Sequence, residues 1–379
     1  MLILLDCRPL QYAGPDSEKS RLIFSAAAAL AAGKAIKWLF VADHSYRPGS
    51  LPELPPGTML IRRALPGRAG WKLWYDWQIP RLIRQQGAGA VMLTAGIAAA
   101  SSGVPQWLWM PERADPAKRD GGRRYPSIYR GRLRASLRRA MAVFCFSERD
   151  RALLAGLDPA AGEKIRVFTS FPDEAVRPAS PAEKEETKAT RTQGREYFLA
   201  DLSGGGEEVV VNLLLAFSLF KKRQHSNMRL VLTGRLSGPS AGIRERLKTY
   251  KYRQDVHWSE EWAIEGSELA GAAYAVLFPF EGNSLGTALL NAWKAGVPVI
   301  AVNDGLLQEM AAGAALGVVA GDPASLATQL MLIYKDEQLR RDLIGKGFER
   351  LDAYSRERSL DRMWDGIGRE LIKFADSKL

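Results

Sequence analysis

The chain has few of the residues that build covalent or metal centres. Only Cys7 and Cys145 occur among its 379 residues, and each lies in an apolar segment that predicts a buried strand. Two buried thiols favour inert core residues over a disulfide and indicate a reducing compartment. Three histidines (His44, His225 and His257) form no pair at metal-ligand spacing, and no Asp-x-Asp pair is present. We therefore expect neither a disulfide nor a bound metal or other cofactor.

A signal peptide and a clear membrane span are also missing from the sequence. Residues 1–6 are too few, and become polar too soon, to predict a signal peptide. Residues 85–111 carry no charge over 27 positions and must be weighed as a membrane span. Their small residues and Pro105 favour a buried strand, a turn and a second strand instead. We expect a cytoplasmic protein, with peripheral contact at the inner membrane face as an open alternative.

Acidic residues are short in the first half alone. The chain has 53 Lys and Arg against 42 Asp and Glu, a net charge of +11. Residues 1–180 hold 27 and 15 of these, a net of +12, and residues 181–379 hold the remaining 26 and 27. Such a basic face suits phosphates, anionic lipid or nucleic acid, and solvated helix surface is the plainer alternative. No RNA- or DNA-binding motif is present, so we do not expect a nucleic-acid partner.

The composition is otherwise that of a soluble globular protein, with 46% hydrophobic and 25% charged residues. The length suits two domains. Residues 178–196 are polar and lack aromatic core residues, which predicts a linker or mobile loop. We therefore expect an N-terminal domain over 1–177, a C-terminal domain over 197–355, and a last helix over 356–379 that returns to the N-terminal domain.

Short apolar runs alternate with helical patterns in both halves. Predicted buried strands cover 2–5, 36–41, 90–93, 106–110, 142–146, 197–200, 229–233, 274–279, 298–302 and 316–319. This alternation implies two parallel sheets with helices on both faces. Residues 130–142 predict a basic amphipathic helix.

Tryptophans at 71, 74 and 77 have helical spacing, and Pro80 after them predicts a kink or break. The spacing favours a helix that packs its aromatic face on the sheet over a lipid-facing or base-stacking surface.

The densest motif lies over residues 276–301. A predicted strand leads into a glycine-containing turn, and a helix from about 285 to 295 ends at Gly296, before Pro298. The helix dipole and the free backbone N–H groups at the start of this helix form an anion site suited to a diphosphate. The residues that present those groups are Ser284, Leu285, Gly286 and Thr287.

This motif resembles that of the retaining group-1 (family 4) glycosyltransferases, whose C-terminal domain carries Glu-x-Phe-Gly-x-x-x-x-Glu-Ala-Met-x-x-Gly-x-Pro-Val-Ile-Ala. Residues 283–301 match it as Asn-Ser-Leu-Gly-Thr-Ala-Leu-Leu-Asn-Ala-Trp-Lys-Ala-Gly-Val-Pro-Val-Ile-Ala. The similarity covers nearly the full chain and is strongest over 196–350. It implies an α/β GT-B fold, in which two Rossmann-like domains with parallel sheets face each other across a cleft. It further implies a nucleotide-sugar donor in the C-terminal domain, an acceptor in the N-terminal domain, retention of configuration and no metal.

The sequence departs from the family where the sugar should be bound. Two family Glu residues, one near the reaction centre and one on the nucleotide ribose, align with Asn283 and Asn291. An amide can hydrogen-bond a hydroxyl, but it supplies no charge to an oxocarbenium centre. Glu281, two residues upstream, offers a carboxylate, so the catalytic candidates are Asn283 and Glu281.

A second departure affects the donor diphosphate. The family's basic pair aligns with Glu207 and Glu208, which follow a turn that begins at Gly204. A like-charge pair at about 6 Å and an effective dielectric of about 20 costs roughly 2–3 kcal/mol. Arg235 is the nearest cation that could compensate. On the acceptor side, the family's glycine-rich loop is reduced to Gly14, and Glu112 stands at the turn where the family often has His-Asp.

Two functions remain open. The first is a glycosyltransferase acting on a glycan, lipid-linked or otherwise anionic acceptor. The second is a catalytically impaired protein of the same fold that acts as a binding or scaffold partner.

Overall fold

A computed structural model of the protein describes residues 1–13, 17–32, 36–110, 128–236, 238, 240–260, 268–280, 286–303 and 305–376. The chain forms two compact units. The first unit comprises Met1–Ser170 and Glu357–Leu379, and the second comprises Phe171–Arg356.

The first unit is built on a parallel sheet that has seven strands in the described part of the chain. They are β1 (Leu2–Asp6), β2 (Lys37–Asp43), β3 (Gly57–Arg62), β4 (Ala90–Leu93), β5 (Gln106–Trp109), β6 (Ala142–Cys145) and β7 (Ile165–Val167). The strand order is β3-β2-β1-β4-β5-β6-β7. β1 is therefore central, and its register pairs Leu4 with Leu39 of β2 and with Val91 of β4.

Helices connect these strands, as parallel pairing requires. They are α1 (Arg8–Ala13), α2 (Glu18–Ala31), α3 (Gly67–Leu73), α4 (Ile79–Gln86), α5 (Ile128–Arg139), α6 (Glu148–Leu157) and, numbered in chain order, α15 (Arg356–Asp376). A π turn, Trp74–Gln78, joins α3 to α4, and a 3₁₀ turn, Pro159–Lys164, precedes β7. From Glu357 onward α15 belongs to the first unit, where Ser359 Oγ lies 2.9 Å from Thr169 Oγ1.

Two sequence predictions are confirmed in the first unit. Residues 85–111 contain β4 and β5, both fully buried, and no helix in the described residues is long and apolar enough to cross a membrane. α5 buries Leu133 and Leu137 and exposes arginines along its other side.

The prediction for the tryptophan-rich helix is only partly right. Trp74 is fully buried and Trp71 is half-buried, but Trp77 is 55% exposed. The π turn that contains Trp77 ends with the Ile79 N–H donating to the Trp74 carbonyl, five residues back. Pro80, which follows, has no N–H for the usual four-residue bond.

The second unit is built on a parallel sheet that has six strands in the described residues. They are β8 (Tyr197–Asp201), β9 (Arg229–Thr233), β10 (Val256–Ser259), β11 (Ala275–Phe278), β12 (Val299–Val302) and β13 (Ala315–Val318), in the order β10-β9-β8-β11-β12-β13. Its helices are α7 (Pro181–Thr192), α8 (Glu207–Gln224), α9 (Ala241–Thr249), α10 (Glu268–Gly271), α11 (Thr287–Lys294), α12 (Gly305–Ala311), α13 (Pro323–Lys335) and α14 (Glu337–Leu351), with 3₁₀ turns at Arg253–Asp255 and Asp352–Tyr354. The predicted pair of parallel α/β sheets is thereby confirmed.

The predicted linker or mobile loop over 178–196 is corrected by the structure, since most of it is the helix α7. A capping box begins this helix: the Ser180 Oγ accepts from the Glu183 N–H, and the Glu183 carboxylate accepts from the Ser180 N–H at 2.7 Å. Lys188 then pairs with Glu185 at 3.0 Å on the next turn. The composition is poor in core residues, but the caps and charge pairs stabilise a helix at the edge of the second unit.

Candidate functional site

The glycine turn after β8 touches the connection that leads from β11 to the motif helix. β8 and β11 are neighbours in the sheet, and the strand order reverses between them. The chain leaves β8 through Gly204–Gly206 into α8, and it leaves β11 through Phe280 toward α11. A Cβ added at Gly205 would lie 3.2 Å from the Phe280 ring, so the two connections touch. Open parallel sheets bind their ligands at such a switch point, beyond the carboxyl ends of the strands.

The turns that follow β8 and β9 also pack against each other. The Gly204 N–H donates to the Arg235 carbonyl at 3.0 Å. Gly234 has φ +83°, and a Cβ there would lie 2.9 Å from Asp201 Oδ1 and overlap Ser203 Oγ. Burial raises the pKa of the Asp201 carboxyl, although the Ser203 N–H donates to it at 2.9 Å. Glycine is therefore required at 234 both for its conformation and for this close approach.

Glu207 and Glu208 each lie against a glycine at the start of a helix. A Cβ at Gly206 would overlap the Glu208 carboxylate, and a Cβ at Gly242 would lie 3.0 Å from Glu207 Oε1. Gly206 is the N-cap of α8, and Gly242 is in the first turn of α9. Carboxylates in these positions are stabilised by the helix dipole. The protein's own Glu208 carboxylate thus lies at the N-terminus of α8, and the Glu207 carboxylate lies at the start of α9.

Arg235 is exposed beside the glycine turn. A hydrogen bond from Arg244, at 2.7 Å, lowers the pKa of the Glu260 carboxyl, and the charge of Arg235 contributes to the same shift. Arg235 is therefore a cation at the carboxyl edge of the sheet.

The N-terminus of α11 differs from that of α8 in charge. Its N-cap, Gly286, has φ +94°, and no acidic residue occurs in the first turn, which begins at Thr287. Trp293 anchors the helix: its side chain is buried, and Nε1 donates to the Ala314 carbonyl at 3.2 Å. Gly296, with φ +72°, follows the helix end as predicted. The dipole at this end of α11 therefore favours an anion, and the first turn of the helix adds no negative charge of its own.

Asn291 is on α11 but is only 3% exposed. Its Oδ1 accepts a 2.8 Å hydrogen bond from the Asp173 N–H, and Lys294 donates to the Asp173 carbonyl at 2.7 Å. The Asn291 Nδ2 has no hydrogen-bond partner in the described part of the protein. The side chain thus holds residue 173 with its oxygen and retains a buried donor.

Six predicted site residues lie outside the described residues: Glu281, Asn283, Ser284 and Leu285 in the motif, and Gly14 and Glu112 on the acceptor side. Within the described ranges, no cluster of three or more His, Cys, Asp or Glu side chains could hold a metal. Cys7 and Cys145 are both free and buried.

Comparison with known proteins identifies the domain that contains this site. Residues 198–350 match the family model described as Glycosyl transferases group 1. This part of the chain is similar to group 1 glycosyltransferase domains. It contains the glycine turn, α8, Arg235 and α11. Among curated proteins, none matches the sequence significantly.

Solved structures extend the similarity to the whole chain and show the fold to be GT-B. Sucrose-phosphate synthase from Thermosynechococcus elongatus is 17% identical with a TM-score of 0.70, covering 98% of this chain and 99% of its own. Anabaena HepE in complex with UDP-glucose is 12% identical with a TM-score of 0.74, covering 97% and 100%. WaaG, a glycosyltransferase involved in lipopolysaccharide biosynthesis, is 14% identical with a TM-score of 0.64, covering 93% and 95%.

Outside residues 198–350, the first unit has a buried polar cluster at the carboxyl ends of β1 and β2. Arg8 and Asp43 are both buried and pair at 2.9 Å, and Tyr12 donates to Asp43 at 2.7 Å. Burial acts to raise the pKa of Asp43, but hydrogen bonds from Ser45 and Tyr12 outweigh it, so the pKa is lowered. The Arg8 guanidinium also lies 4.2 Å from the ring centroid of Trp71.

Asp6 forms the deeper part of this cluster. It accepts from Trp74 Nε1 at 3.1 Å and from the Tyr75 hydroxyl at 2.8 Å. Burial raises its pKa to about 6, in spite of these bonds. This cluster was not predicted from the sequence, although acidic residues that end buried strands, at positions 6 and 43, were a visible signal.

Proposed function

We propose that the protein is a glycosyltransferase that binds a nucleotide-sugar in its second unit. The observation that carries this proposal is the contact of the glycine turn after β8 with Phe280, which begins the connection from β11 to α11, at the switch point between β8 and β11. The group 1 family match over 198–350 and the GT-B fold agree with it. HepE, which shares the fold, has been solved with UDP-glucose.

The charges in the second unit favour α11 over α8 as the diphosphate site. Glu207 and Glu208 lie at helix starts and would repel a phosphate, whereas the first turn of α11 has no acid. We infer that the leaving diphosphate is held by the backbone amides of residues 284–287, with Arg235 as the nearby cation. The Asn291 Nδ2, which is costly to leave unpaired, then donates to a ribose hydroxyl oxygen.

In the proposed reaction, the bond between the anomeric carbon and the diphosphate oxygen breaks through an oxocarbenium-like state. An acceptor hydroxyl oxygen bonds to that carbon, and its proton is released. Asn283 and Glu281 are the proposed residues at the reaction centre. Retention of configuration and independence of metal remain proposals that rest on the family resemblance.

The acceptor is proposed to bind the first unit. The net charge of +12 over residues 1–180 suits a phosphorylated, lipid-linked or otherwise anionic acceptor. It also suits peripheral contact of a cytoplasmic protein with the inner membrane face.

A second function is favoured by the same departures from the family. The motif has Asn283 and Asn291 where the family has two carboxylates, and Glu207 and Glu208 replace the family's basic pair. In this second function the protein transfers no sugar and acts as a binding or scaffold partner of GT-B fold.

A thermal-shift and donor-hydrolysis series separates the two functions. UDP, GDP, UDP-glucose and further nucleotide-sugars are each added to the full chain. A bound donor at about 100 times its Kd should add about 2.7 kcal/mol to stability. Stabilisation with slow hydrolysis of one donor supports the transferase. Stabilisation without hydrolysis or transfer supports the binding function. No stabilisation by any of them rejects donor binding altogether.

A further inference from the structure

Exposed apolar side chains gather on one face of the first unit. Trp77 is 55% exposed and Leu73 is 48% exposed, four residues apart along α3 and the π turn. Leu65 is 59% exposed, in the loop that follows β3. Gln78 Nε2 donates to the Arg63 carbonyl at 3.1 Å and ties that loop to the π turn. We name the face formed by residues 61–65, 72–73, 77, 81 and 84 the Trp77 surface.

Cations surround these apolar side chains. They are Arg62, Arg63, Lys72, Arg81 and Arg84, and none pairs with a carboxylate of the described residues. Arg81 lies 5.0 Å from the ring centroid of Trp77. Asp76 is the single acid in residues 54–111, and it pairs with Arg132 of α5. The Trp77 surface therefore has five cations and no acid among its own residues, and the neighbouring Asp76 is already paired.

The arginines of α5 differ from these cations because two of them contact other groups of the protein. Arg138 pairs with the buried Asp158 at 2.6 Å, and Arg134 donates to the Leu157 carbonyl at 3.0 Å. The sequence predicted α5 as a basic amphipathic helix, but its charges are partly committed to these internal contacts. The Trp77 surface is the better candidate, because it combines unpaired cations with exposed apolar groups.

We propose that the Trp77 surface docks the protein on an anionic lipid bilayer. Indole prefers the headgroup level of a bilayer, Leu65 and Leu73 reach the acyl boundary, and the cations meet lipid phosphates. A nucleic acid would use the cations but would gain little from exposed leucines. Membrane docking deepens the proposed function, because this surface would bring the protein to a lipid-linked acceptor. The docking itself does not depend on sugar transfer and can be measured without it.

Vesicle co-sedimentation of the full chain tests the proposal. One vesicle is phosphatidylcholine alone, and the other contains about a third phosphatidylglycerol, the anionic lipid that should attract the cations. We expect binding to the second vesicle, weaker at high salt, and little binding to the first. Replacing Lys72, Arg81 and Arg84 together by Gln should weaken binding about a hundredfold, at about fivefold per cation. Leu73→Ser with Trp77→Ser should also reduce binding, by at least tenfold.

Matched controls are available in the second unit. Leu215→Ser removes a leucine that is 51% exposed, and Lys222→Gln with Arg223→Gln removes two exposed cations of α8. These variants should bind vesicles as the wild type does. Equal loss in the controls and in the Trp77-surface variants would overturn the proposal, and so would equal binding to both vesicles.

Fluorescence locates the contact. Lipids with brominated acyl chains should quench part of the tryptophan emission, and Trp77→Phe should remove that quenching although the chain has 10 tryptophans. Quenching that persists in Trp77→Phe rejects this surface. A single-stranded RNA that binds with the same dependence on Trp77 and Leu73 would assign the surface to nucleic acid. The vesicle assay contains no nucleotide-sugar, and the donor assays contain no lipid. Failure of the membrane-docking proposal can therefore be distinguished from failure of the proposed glycosyltransferase function.

Discussion

The Asn291 side chain accepts a hydrogen bond of 2.8 Å from the Asp173 backbone N–H. The family resemblance predicts a donor-binding residue at position 291. In the structure its oxygen is already used to hold residue 173, and only Nδ2 is left for a ligand. One side chain can therefore serve stability through one atom and binding through the other.

Asn291→Ala should separate these two contributions. The variant leaves the Asp173 N–H without its acceptor, which should lower the free energy of unfolding by about 1–3 kcal/mol. Loss of the Nδ2 donor should also weaken binding of UDP or of the preferred nucleotide about tenfold, or about 1.4 kcal/mol. Chemical denaturation and calorimetric titration measure the two effects.

Asn227→Ala is the matched control, because Asn227 is exposed on the same unit. It should change neither quantity. A destabilised Asn291→Ala variant with unchanged nucleotide affinity would show that Asn291 only holds residue 173.

Glu207→Gln with Glu208→Gln should tighten nucleotide binding. The two carboxylates lie at the starts of α9 and α8, beside the glycine turn, and that turn touches Phe280 in the connection that leads to the proposed diphosphate site before α11. Removing their repulsion should strengthen binding of a nucleoside diphosphate at least tenfold, about 1.4 kcal/mol. Stability should fall by about 0.5–1 kcal/mol for each helix start that loses its charge.

Glu245→Gln removes an equal charge from α9, where Glu245 pairs with Lys248 at 2.7 Å. This control should bind nucleotide as the wild type does. If the double variant binds more weakly than the wild type, the carboxylates contact the donor favourably, and the repulsion argument fails.

The sequence predicted the buried strands well and missed those with little burial. Strands such as 90–93 and 229–233 are fully buried, so their apolar runs are unmistakable. The three missed strands, β3, β7 and β10, are all at sheet edges. An edge strand has a neighbour on one side only, and β10 is half-buried throughout. Its residues therefore need not be apolar, and the pattern fades.

The glycine turn and the motif helix were also predictable, because local chemistry decides them. Helix α7 was also predictable, because a capping box begins at Ser180. The polar composition of the segment instead led to the prediction of a linker or mobile loop. The Asp6 cluster was not predictable in the same way. Asp6 and Tyr75 are 69 positions apart, so their hydrogen bond depends on tertiary packing that no local pattern records.

Gly234→Ala should disturb the glycine turn. A Cβ at this position would overlap Ser203 Oγ and lie 2.9 Å from Asp201 Oδ1, and φ is +83°. We expect a loss of stability of about 1–3 kcal/mol from the strained backbone, together with weaker nucleotide binding. Gly238→Ala is the control, since nothing lies within 4 Å of a Cβ there. Equal stability and nucleotide affinity in the two variants would contradict the tight packing of the turns.

Asp6 should make the protein less stable as the pH rises from about 4 to about 6. Burial raises its pKa from 3.8 to about 6, so between these values the folded chain holds a proton that the unfolded chain has released. Since the folded state binds more protons, stability falls across this window, by about 3 kcal/mol in total, and is constant with respect to Asp6 above it. Asp6→Asn keeps an acceptor for Trp74, and the Tyr75 hydroxyl can turn to accept from the new amide. The variant should therefore lose this part of the pH dependence and gain stability at pH 7 relative to the wild type.

Asp43 contributes to the pH dependence of stability with the opposite sign, because its pKa is lowered. Its contribution is lost as the pH falls below about 4. Denaturant unfolding of the wild type and Asp6→Asn across this range measures the effect, and parallel stability curves for the two proteins would show that Asp6 is ionised at no cost in the folded state.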